Sequence, residues 1–328
     1  MKRTVIPVIL VALLSLTSCM RGDLYDNEDD KTALLELPGF GGTPKISSIT
    51  SSTPNASYAA GSPIDITLTF SVPVALAGGT LDLTLDNGVV LSIPAFGLSN
   101  SVTVTYTVAP GDNSASLNVA SAVLSAGATL IDGTGVAAST SLPFFNNLSN
   151  NTNLVVDTTQ PTITSITSSK ANGSYGVGQT IPVTVNFSEN VTLSAGGSLD
   201  LTLDSGGTLS IPAFTLSNQA IGTYTIASGN NSADLNVSTI VVGAGTLTDT
   251  AGNNADLTLP ATENLADNKN IAIDTIVPMI SSLDSATADG MYGIGGAIAV
   301  TVNFSEPVTL AGGSRFLIWI RLPAPRLR

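Results

Sequence analysis

Between residues 46 and 314 the chain carries eighteen carboxylates against two basic residues, Lys170 and Lys269, and it contains no histidine anywhere. Carboxylates without imidazoles leave a short menu of chemistry. Ser-His-Asp and Cys-His catalysis, histidine-held metals and haem each need an imidazole as base or ligand. The single cysteine, Cys19, excludes disulfides within the chain and cysteine-clustered zinc. A local charge of −16 over this span argues against nucleic acid as a partner, because phosphate contacts need clustered lysine and arginine. What the acids do supply is oxygen, the ligand atom of hard cations such as calcium.

Two acid pairs have a spacing that suggests general acid and base work. Asp82 with Asp86, and Asp200 with Asp204, stand four residues apart among alternating leucines. That spacing puts both members on one face of a strand, and the same pair occurs in both repeats, so they read as a solvated strand face. The chain is not expected to be an enzyme. Gly176-Val177-Gly178 is no phosphate loop either, since no helix and no lysine follow it.

The elements that position the remaining acids repeat along the chain. Val155-Val156-Asp157-Thr158-Thr159-Gln160-Pro161 and Ile273-Asp274-Thr275-Ile276-Val277-Pro278 are two copies of one junction, and Pro44, Pro161 and Pro278 are each 117 residues apart. Tyr58, Tyr175 and Tyr292 keep the same step, as do Phe70, Phe187 and Phe304. A fixed period of this length marks a tandem array.

Within a repeat, Ile181-Pro182-Val183-Thr184-Val185-Asn186-Phe187 alternates with period two, as does its counterpart Ile64 to Phe70. Pro182 would remove a ladder donor, which places it at a strand start or on an edge. Further strands are expected at 199–203, 208–211, 221–226, 235–242, 257–259 and 270–273, with no helical periodicity between them. The fold class is therefore all-β, as tandem Ig-like β-sandwich repeats. Residues 44–160 and 161–277 form two complete repeats and residues 278–314 a truncated third. Phe187, Phe214 and Tyr224, with Phe70, Phe96 and Tyr106, are the bulky core candidates.

Ahead of the array, Lys2 and Arg3 precede an apolar run from Val5 to Leu16 that has the length of a signal-peptide core. Leu16-Thr17-Ser18-Cys19 then resembles the bacterial lipoprotein lipobox. The resemblance implies that residues 1–18 are a cleaved leader and that Cys19 is diacylated. It also implies a bacterial chain anchored to a membrane of the cell envelope, at the outer membrane or cell surface. Residues 19–43 are acidic and too polar to bury a core, which suits a flexible tether reaching about 80 Å when extended. At the other end the repeat stops abruptly after Ser314, and residues 315–328 carry four arginines and the one tryptophan. One shifted frame across the codons of Ile318-Trp319-Ile320 reads Leu or Met followed by Asp, as at Leu203-Asp204. A frameshift or sequencing error just after Ser314 is therefore expected, with a complete third repeat in the original gene; the rival reading is a genuine amphipathic or membrane-touching tail, which Pro323 and Pro325 disfavour as a helix.

Asp249-Thr250-Ala251-Gly252-Asn253, Asn186-Phe187-Ser188-Glu189 and the Asp-Thr-x-x-Pro junction resemble the tandem Ig-like repeats of bacterial surface proteins and adhesins. The resemblance implies extracellular stalks or binding modules, often stiffened by calcium between repeats; the readings are an array that binds a protein or polysaccharide, a passive stalk, or the accessory region of a larger protein or enzyme. Counting strand directions from the junctions groups Asp132, Asp157 and Glu189 at the first junction, and Asp249, Asn253, Asp274 and Glu306 at the second. Repeat one departs from the pattern, with Val72 in place of the glutamate and Val136 in place of the asparagine.

Overall fold

Alternating apolar residues commit nearly all of the regular structure to strands. The computed structural model describes residues 42–309 and 311. Cys19 and residues 315–328 lie outside them. In the first unit the strands are β1 (Ile46–Ser51), β2 (Ser57–Tyr58), β3 (Pro63–Ala77), β4 (Leu81–Leu85), β5 (Val90–Ile93), β6 (Phe96–Thr107), β7 (Val119–Leu124) and β8 (Thr129–Asp132). A one-turn helix α1 (Leu148–Asn151) and β9 (Val155–Val156) follow. One sheet has the order β1-β3-β6 with β8 also on β3, a second has the order β5-β4-β7, and β2 pairs in parallel with β9. Ile64, Ile66, Leu68 and Phe70 from the first sheet and Leu81, Leu83 and Leu85 from the second bury their side chains in one shared core. The arrangement is sandwich-like, each sheet hiding one face and wetting the other.

The second unit repeats this pairing. It comprises β10 (Ile163–Thr167), β11 (Gly173–Tyr175), β12 (Thr180–Leu203), β13 (Thr208–Thr225), β14 (Val237–Ala244), β15 (Leu247–Thr248), α2 (Leu265–Asn268) and β16 (Ile271–Ile273). Ile163 pairs with Phe187 as Ile46 pairs with Phe70, and both phenylalanines are 3% exposed. β12 does alone what β3 and β4 do in sequence, and β13 likewise joins the places of β5 and β6. Ala195 is one residue more than the first unit has here, so Leu199 lies 118 rather than 117 beyond its counterpart Leu81. The surplus is taken up as a register shift between Leu193 and Ser198. The core of this unit contains only its own residues, Ile163 to Ile273.

Several expected elements differ. Residues 257–259 are not a strand, and the short β15 just before them was not expected. Nor were the single helical turns, which rest on a local cap rather than on periodicity. Asn147 and Asn264 each accept from the first amide of the turn, and each side-chain amide also donates to a carbonyl of the neighbouring strand, Val119 or Val237. Pro182 sits near the start of β12, beyond the last residue that β10 pairs. In the first unit the amide at this place, Asp65, donates to the Thr53 hydroxyl, and in the third Ala299 donates to Thr287. The second unit has Lys170 at the acceptor's position and a proline at the donor's, so donor and acceptor disappear together.

Beyond Pro278 the described residues form β17 (Ile280–Asp284) and β18 (Thr301–Phe304), paired in the register of β1 with β3. Among the described residues no helix is long and apolar enough to cross a membrane.

Candidate metal centre

The site is assembled from three pieces of chain that meet where the first unit hands over to the second. Asp157 follows β9, where its amide donates to the Tyr58 carbonyl and its carboxylate accepts from the Thr159 amide. Glu189 stands two residues after Phe187, in the stretch of β12 where the pairing with β13 skips from Asn186 to Val191. Asp249 follows β15, whose pairing with Thr192 and Leu193 of β12 carries the loop to Glu189. The carboxylate oxygens of Asp157, Glu189 and Asp249 offer one ligand atom each within 4.8 Å of one another.

Asp249 is 6% exposed and is fixed by its own loop. Its carboxylate accepts from the Gly252 amide at 2.7 Å, the Asn253 amide at 2.8 Å and the Asn253 side-chain amide at 2.8 Å. The same Asn253 side chain donates to the Asp157 carbonyl at 2.9 Å, tying the loop to the junction. Burial of Glu189 raises its proton affinity above the usual carboxylate range, and the charges of Asp157 and Asp249 push in the same direction.

This grouping corrects the one expected from strand counting. Asp249 and Asn253 belong to the first junction with Asp157 and Glu189, not to the second with Asp274 and Glu306. Asp132 does not join Asp157 and Glu189. It pairs beside Val74 at the opposite end of its own unit, accepting from the Thr134 amide and hydroxyl and from the Val136 amide, and these bonds hold its proton affinity low. The physical reason is that β8 and β15, not the residues at 257–259, return the chain to the sheet. Each therefore places the following loop at the start of its own unit. Sequence carried a signal for this, since the unit that lacks the glutamate also lacks the asparagine.

At the second junction Asp274 has the local geometry of Asp157, its amide donating to Tyr175 and its carboxylate accepting from the Ile276 amide. Asp274 and Glu306 line a cleft of about 420 Å³ with Ser174, Asn231 and Ile276. One Glu306 oxygen there is shielded from solvent. Among the described residues no third carboxylate joins this pair.

The donor set at the first junction suits a hard divalent cation. It offers only oxygen, it gathers three carboxylates that repel one another when ionised, and it holds no soft ligand. No protein-family model and no curated protein matches the chain. Among solved structures it is similar to a DUF4785 family protein from Legionella pneumophila, at 12% identity and a TM-score of 0.18, over 62% of this chain and 52% of that one. The chain thus spans about half the length of that protein, and a likeness at this score carries no argument.

Proposed function

We propose that the chain is a bacterial lipoprotein, held at the cell surface by diacylated Cys19, whose two Ig-like units form an adhesive array stiffened by calcium at their junction. One observation carries the reading. Asp157 at the end of one unit converges with Glu189 and Asp249 of the next, while the first unit keeps only Asp132 of the set and has Val72 and Val136 in place of the glutamate and the asparagine. A cation bridging the junction would fix the angle between units and hold a binding surface away from the membrane. The ligand class is an extracellular protein or polysaccharide, since the acidic surface is unsuited to nucleic acid.

Thermal unfolding of the chain from Met20 onward, with calcium and with chelator, tests the cation. With free calcium a hundredfold above its dissociation constant, the junction should gain about 2.7 kcal/mol. Asp249→Ala should abolish the gain, whereas Asp132→Ala should leave it intact. Equal midpoints with calcium and with chelator would overturn the calcium bridge, and an equal gain from magnesium would replace calcium with any hard divalent cation. Binding to immobilised matrix proteins and polysaccharides separates an adhesive array from a passive stalk.

A further inference from the structure

The chain enters the first two units through the same cradle. In the second, the Pro161 carbonyl accepts from the Asp256 amide, the Ser188 amide donates to the Thr162 carbonyl, and the Thr162 amide donates to the Ser188 hydroxyl. In the first, the Pro44 carbonyl accepts from the Ser139 amide, and Lys45 and Ser71 exchange the same two bonds. Four residues back from Pro161 stands Asp157, whose carboxylate meets those of Glu189 and Asp249. Four residues back from Pro44 stands Phe40.

The partners change with it. At the places of Glu189 and Asn253 the first unit has Val72 and Val136, which are 39% and 48% exposed. Asp132, at the place of Asp249, has its carboxylate occupied by the Thr134 amide and hydroxyl and the Val136 amide. The exposed Leu98 side chain lies against Gly133 of the same loop. Three positions that are polar at the first junction, 157, 189 and 253, are thus all apolar at the entry to the first unit, as 40, 72 and 136.

We propose that Phe40 seats its ring on Val72, Val136 and Leu98, an apolar clasp that fixes the first unit to its tether where the carboxylate cluster joins the second unit to the first. Phe40 itself precedes the described residues, which begin at Gly42. Two peptide units separate the two, so the Cα of Phe40 lies within about 7.6 Å of that of Gly42. Gly39, Gly41 and Gly42 leave the backbone free to turn the ring inward. Covering the ring and three open aliphatic side chains supplies the driving force. Residues 37–44 carry no charge that burial would strand. Chelator does not release an apolar contact, so the array keeps its direction from the anchor even when the inner junction loosens. The clasp needs no cation, and its test is independent of the calcium reading.

A tryptophan placed at residue 40 reports the seat. In the chain from Met20 onward with Trp319→Phe, Phe40→Trp supplies the single indole. Its emission should be blue-shifted, and acrylamide should quench it severalfold less than in the same chain carrying Val72→Asp and Val136→Asp. Both valines are exposed, so the aspartates leave the unit folded. With the native ring, urea unfolding of the first unit reads the same contact. Phe40→Ala and Val136→Ala should each lower the midpoint, and the double variant should lose less than the sum. Chelator should change neither readout. Full acrylamide access with both valines in place, or strictly additive losses, would overturn the clasp. Protection that survives both aspartates would put the ring elsewhere, and protection that appears only as concentration rises would give the patch to a second copy; either result also overturns it.

Discussion

Glu189 has a raised proton affinity, and the direction of that shift gives a pH dependence. Burial and two neighbouring charges make the folded chain hold this proton more tightly than the unfolded chain, whose ordinary value is 4.5. Without a cation, the stability contributed by this group is fully present below that value and is lost as pH rises through the raised folded value. A cation reverses the trend, because protonation then competes with binding. Urea unfolding from pH 7 to pH 5 should show slopes of opposite sign with chelator and with calcium, and Glu189→Gln should flatten both. A second residue-scale constraint lies at Gly207, where an added Cβ would stand 2.4 Å from the Tyr224 ring. That tyrosine is fully buried and donates to Asn230. Gly207→Ala should cost roughly 1–3 kcal/mol by overpacking, measured as a lower urea midpoint at unchanged slope.

Among the elements, the two helical turns are small but structurally committed. Asn264 is 8% exposed, caps α2 through Leu265 and donates to the Val237 carbonyl, and Asp267 closes the box by accepting from its amide. Asn147 and Asn150 repeat the device in the first unit. Asn264→Ala removes the cap and orphans a buried carbonyl, so a loss on the order of 3 kcal/mol is expected. Chemical denaturation of this variant beside Asn147→Ala should show comparable losses, each confined to its own unit. Such turns are hard to read in sequence because four residues are too few for a 3.6-residue period to register. The long strands are the reverse case: β12 extends over residues expected to be two strands, since a bulge at Ala195 absorbs what looked like a break.

At the scale of the molecule, two cores confined to their own units meet at a junction crossed by the Asn253 side-chain bond to the Asp157 carbonyl. Few bonds across a boundary permit separate unfolding. In chelator, calorimetry of the chain should resolve two transitions, and calcium should raise the second unit's and draw the two together. Sodium chloride at equal ionic strength should not substitute, because screening weakens the repulsion among the carboxylates without bridging them.

Much of this molecule was legible in its residues. Period-two alternation set the strands and their buried faces, and the step of 117 set which residues of different units are counterparts, because side-chain burial in a sheet depends on parity alone. Composition removed imidazole chemistry, internal disulfides and cysteine-clustered zinc, and left oxygen ligands. The partners of Asp249 were not legible. Which pole a loop occupies depends on how many times the chain reverses before it, and one two-residue strand, β15, changes that parity while leaving almost no pattern of its own. The tertiary structure therefore decided that Asp249 meets Glu189 of its own unit and Asp157 of the one before, and that Asp132 meets neither.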